Sequence, residues 1–153
     1  MKRIIGLMTV SVGILLVSLN CLYFNEIRLD MKNLDAYVLE TNIILESIEK
    51  EKIPSEEEKI LSQDKKLKYV GRLVKIQDGL ENTNTSFLTK AYRDYKIKSI
   101  KNLIDAVTYD DSECYREVAR YNRLGDLEIE KLSKNNFITG TFSPINHILN
   151  QRD

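Results

Sequence analysis

Few side chains in this sequence stand at spacings that could do chemistry. Ser62-Gln63-Asp64-Lys65 has the S-x-x-K spacing that sets a lysine one helical turn from a serine nucleophile. The companion motifs are absent, and 153 residues are too few for the enzyme fold that uses this pair. His147 is the only histidine, so paired-imidazole chemistry and His-His metal sites are excluded within one chain. It reads as a surface or capping residue. Asp110, Asp111 and Glu113 offer oxygen ligands for a divalent cation, without the loop spacing and glycine of a calcium hand. Helix capping accounts for them sufficiently. Lys90, Arg93, Lys96, Lys98 and Lys101, with Tyr92 and Tyr95 between them, suggest phosphate contacts and base stacking. The tyrosines fall at core-facing spacing, however, and leave the lysines a solvated face. There is no glycine-rich phosphate loop, zinc spacing or nucleophile elbow. The expectation is a protein that is not an enzyme, with no cofactor, no metal site and no nucleic-acid partner.

Two cysteines remain. Cys21 lies in an apolar run and Cys114 far along the chain, so the fold must hold without a bridge between them. Cys114 is expected to pack as a small apolar residue.

The elements that would position these groups begin with Ile4 to Phe24, 21 residues with no charge and no proline. A run of about 20 apolar residues crosses a bilayer core as a helix. Lys2 and Arg3 before it favour a cytoplasmic N-terminus, as in a signal-anchor. No small-x-small site closes the run as a secretory cleavage site would. In an alternative reading Cys21 is lipidated, although Asn20 stands where a lipobox prefers a small residue. Either way residues 25–153 are expected outside the cytoplasm, with the membrane itself as the first partner.

Those 129 residues suffice for one modest core. With Lys2 and Arg3 set aside they carry 21 basic and 23 acidic groups, a net charge of −2. Such balance offers no broad field to attract nucleic acid or anionic lipid. Six glycines and two prolines leave few turns, so helices should dominate. The abundance of Lys, Ile, Asn and Glu has a bacterial or phage flavour.

Helical periodicity passes from the membrane run into the rest of the chain. Phe24, Ile27, Met31, Leu34, Val38, Thr41, Leu45 and Ile48 follow alternating steps of three and four, a heptad seam. With no breaker before Pro54, one helix is expected from Ile4 to about Glu51. A second row, Leu29, Ala36 and Ile43, with Tyr37 and Ile44 beside it, widens the stripe and favours a bundle over an isolated coiled coil. Ser55 and Glu58 form a capping box for a second helix, a third is expected from about Ser86, and Asp110 with Glu113 would cap a fourth. The part of the first helix beyond the membrane and the three that follow span roughly 27, 25, 22 and 23 residues, each about 35–40 Å long. Matched lengths and short connections imply an all-α protein. A transmembrane helix would continue into an extracytoplasmic up-down antiparallel bundle of three to four helices. The domains would be residues 1–24 as anchor, 25–136 as bundle, and 137–153 as a short apolar tail covering the bundle or lying in the interface.

Three short stretches resemble LemA-type membrane-anchored helical proteins: Phe24-Asn25, Tyr121-Asn122 and Asn136-Phe137-Ile138-Thr139-Gly140-Thr141-Phe142. The proline-asparagine-leucine core of that family's early segment is missing, and the spacing between the stretches differs. The resemblance implies architecture rather than a reaction. Function is expected to be that of an interaction or scaffold module of the cell envelope, partnered by itself or by another membrane protein. Leu34, Val38 and Leu45 would be central to its seam if they are not bundle core. The alternative is a ligand-sensing accessory bundle, which would need a polar pocket between helices.

Overall fold

The computed structural model describes residues 2–52, 61–135 and 137. The capping box at Ser55 and Glu58, His147, and the tail beyond Phe137 lie outside the described residues. Among those described, the protein has four helices and no strand.

Helix α1 runs Lys2–Lys52, 51 residues, or about 76 Å at 1.5 Å per residue. It is long and apolar enough to cross a membrane by length and composition. Its small polar side chains are satisfied within the helix. Ser18, Asn20, Thr41 and Ser47 donate to the carbonyls of Ile14, Leu16, Tyr37 and Ile43, each one turn back.

Helix α2 spans Gln63–Asn82, α3 Lys90–Tyr109 and α4 Ser112–Lys134. At the α3–α4 junction Asp110 takes the left-handed conformation (φ 54°) and closes α3. Asp111, not Asp110, is the N-cap of α4: its carboxylate accepts from the Glu113 N–H at 2.8 Å. Adjacent aspartates made the register ambiguous, and the chain reversal between helices decides it. Helix α3 likewise starts at Lys90 rather than near Ser86, because Ser86 and Thr89 bond to Asp30 on α1.

Contacts between successive helices run in opposite sequence directions. Glu51 meets Lys65 and Tyr69, Glu40 meets Arg72, Tyr37 lies against Gly79, and Asp30 meets Ser86. Lys66 pairs with Asp110, and Glu81 with Lys101. Ser99 then bonds the Val118 carbonyl, and Lys96 reaches Asn122 and Asp126.

The core draws on all four helices, with Leu34, Ile44 and Ile48 from α1, Leu73 and Leu80 from α2, Ile100, Leu103 and Val107 from α3, and Val118 from α4. A separate small cluster, Tyr23, Leu88 and Leu132, joins α1 to the α2–α3 turn and the end of α4. The α3–α4 packing is the most extensive, whereas α1 lies against α2 and only lightly against α3. Among the described residues one long side of α1 is therefore left open.

Candidate interaction surface

From Ile27 onward the side chains of the α1 seam turn inward, whereas Phe24 at its start stays exposed. Leu34 is fully buried, and Val38 and Leu45 are half-buried against the core. From the second row, Ile44 goes inside and Tyr37 is half-buried, while Leu29, Ala36 and Ile43 stay exposed. Leu22 continues that exposed row seven residues earlier, and Leu39 lies beside it. Leu29, Leu39 and Ile43 keep 45%, 60% and 49% of their surface open, beyond the apolar run where lipid would cover them. Periodicity located both rows but not which one the bundle would bury. Cys21 is exposed on α1.

A second feature is polar and internal. Lys96, expected on a solvated face, is only 8% exposed. Its ammonium donates to Asn122 Oδ1 at 3.3 Å and Asp126 Oδ1 at 3.2 Å, and lies 5.4 Å from the centre of the Tyr92 ring. Tyr92 is buried against it, and that burial, with the Asp126 and Asp35 carboxylates adding, pushes its phenol up to about 12. Lys96, Ser99, Thr41, Asn42 and Asn122 border a cleft of about 10 Å³ between the helices. That is close to the least space a single water needs, and far below the hundreds of Å³ of an organic-ligand pocket.

Tyr95 and Tyr121 sit half-buried on the outer side of α3 and α4, with ring centres 6.4 Å apart. Lys98 lies near both rings and Arg120 over Tyr121, so the basic residues and tyrosines of α3 are shared between core and surface rather than divided by face.

The other chemical candidates disperse. Ser62 is at the N-cap position of α2 without a side-chain cap, and Lys65 pairs with Glu51 at 3.1 Å. Asp111 caps α4 while Asp110 pairs with Lys66, and Glu113 pairs with Arg116 at 2.6 Å. The Glu113 N–H, then the Cys114 thiol, hold the Asp111 carboxyl below its usual range. Burial, and then Asp111, push the Cys114 thiol up, which disfavours the reactive thiolate. Among the described residues no three His, Cys, Asp or Glu side chains gather as a metal site.

Comparison with family models, curated proteins and solved structures finds no match to this chain. The short LemA-like stretches therefore carry no family assignment.

Proposed function

We propose that this protein is a single-pass, membrane-anchored, non-enzymatic interaction module of a bacterial cell envelope. In this reading Lys2 and Arg3 hold the N-terminus in the cytoplasm, and the remainder folds outside as an up-and-down bundle. The opposed order of contacts between successive helices supports that topology. The observation that carries the functional reading is the exposed row Leu29, Ala36, Leu39 and Ile43 on α1. An apolar row on a helix that continues from a membrane span fits a neighbouring helix that leaves the same membrane alongside it. The seam at Leu34, Val38 and Leu45 then serves the bundle, and the outer row serves the partner, whether a second copy or another membrane protein.

Site-directed crosslinking in native membranes tests this. In a background with Cys21 and Cys114 replaced by serine, Leu39→Cys and Ile43→Cys should give discrete adducts, and Arg123→Cys on α4 should give none. Equal labelling at all three positions, or none at any, refutes the outer row as a contact face. Protease added outside intact cells should remove the chain beyond residue 25, and protection would reverse the orientation.

The ligand-sensing alternative would draw on the cleft between helices, where the polar groups around Lys96 meet Val38, Leu80 and Ile100 and the space of about 10 Å³ suits a single water.

A further inference from the structure

Resting on the membrane-anchored reading, we infer that one end of the bundle docks on the headgroup layer of the bilayer that α1 crosses. This end consists of the α2–α3 turn and the close of α4. It does not stand clear of the apolar run but packs onto its last turn. The Phe137 N–H donates to Asn20 Oδ1 at 2.8 Å, the Tyr23 hydroxyl donates to the Leu132 carbonyl at 3.4 Å, and Leu88 and Leu132 close around Tyr23. Asn20 thereby has both ends of its amide satisfied, since its Nδ2 donates to Leu16.

Helix lengths favour the contact. From Ile4 to Leu19 the run spans about 24 Å as helix, short of the roughly 30 Å of a hydrocarbon core. The span matches the bilayer without thinning it when Asn20 to Phe24, and whatever packs on them, sit at its edge. The residues at this end suit that position. Phe24 and Phe87 are about half exposed, Lys90 is exposed three residues after Phe87, and Lys131 and Lys134 are exposed either side of Leu132, which packs on Tyr23. Aromatic rings and long basic side chains are at home where hydrocarbon meets headgroups. Lys131 and Lys134 already pair with Glu128 and Glu130, so depth matching and ring burial drive docking, and zwitterionic lipid suffices.

The chain has no tryptophan, so single tryptophans report depth without a background. Full-length Phe24→Trp, Phe87→Trp, Lys134→Trp and Tyr109→Trp proteins are reconstituted in phosphatidylcholine vesicles brominated on the acyl carbons nearest the headgroup. Tyr109 lies at the far end of α3, roughly 28 Å from Lys90 along the helix. Phe87→Trp and Lys134→Trp should each lose roughly half their emission, and Tyr109→Trp almost none, the contrast between headgroup depth and bulk water. Quenching of Phe24→Trp alone overturns the docking and leaves the membrane reading standing. No quenching at Phe24→Trp overturns both. Because Lys134 is exposed on α4, it reports the same depth should Phe87→Trp disturb the turn.

Discussion

Two glycines in α2 should respond to one substitution with opposite signs. Gly71 is exposed, and a Cβ built there meets nothing within 4 Å. Gly71→Ala removes only the flexibility of glycine in a helix interior, a gain of about 0.8–1 kcal/mol. Gly79 is half-buried, and a Cβ there would lie 2.8 Å from Tyr37 Cζ and 3.0 Å from its hydroxyl oxygen. Carbon atoms in contact rest at about 3.5–4.0 Å, so the Tyr37 ring must move. That ring packs against the core, which makes the displacement a form of overpacking costing about 1–3 kcal/mol. Set against the same helix gain, Gly79→Ala should destabilise by up to about 2 kcal/mol. For a chain of this size, thermal unfolding in detergent micelles followed by circular dichroism should shift up by about 2–4 °C for Gly71→Ala. Gly79→Ala should shift it down, by up to about 4–8 °C at the upper end of that cost. Combining Gly79→Ala with Tyr37→Leu should recover about 1–2 kcal/mol of coupling in a double-mutant cycle. Equal stabilisation by both alanines, or coupling of about zero, refutes the close approach of α1 and α2 at this point.

Two further outcomes follow from the buried polar groups. Asp30 Oδ2 accepts from Ser86 N (2.9 Å), Ser86 Oγ (2.5 Å) and Thr89 Oγ1 (2.5 Å), so Asp30→Ala should cost about 2–3 kcal/mol by orphaning those donors. Urea unfolding and faster exchange of the Ser86 amide check it, and an unchanged midpoint counts against the α1–turn latch. Tyr92, at about 12 in the folded protein against an ordinary value of 10, should be among the last tyrosines to ionise in an ultraviolet titration. Since its folded value is raised, the stability linked to it is complete below pH 10 and lost as pH rises towards 12. Tyr92→Phe should remove the late-titrating component and flatten that alkaline loss, whereas loss of amplitude near pH 10 with the late component intact would place Tyr92 in solvent.

What the chain determines locally could be read from it. An uncharged run without proline makes one long helix, and 3.6-residue periodicity marks the others, because both depend on neighbours within a few turns. Helix starts were less legible. The N-cap moved from Asp110 to Asp111, and α3 began at Lys90, where Asp30 from another helix takes the hydroxyls of Ser86 and Thr89. Tertiary structure alone decided the rest. It selected which of two adjacent apolar rows on α1 faces the bundle, leaving Leu29, Leu39 and Ile43 open. It drew Lys96 inside beside Asn122 and Asp126, and it seated Leu132 and Phe137 on the last turn of the apolar run. Periodicity says that a helix has an apolar side but not how far the helix is rotated or raised against its neighbours. That rotation and height are set by contacts distant in sequence, and the candidate surfaces of this protein depend on both.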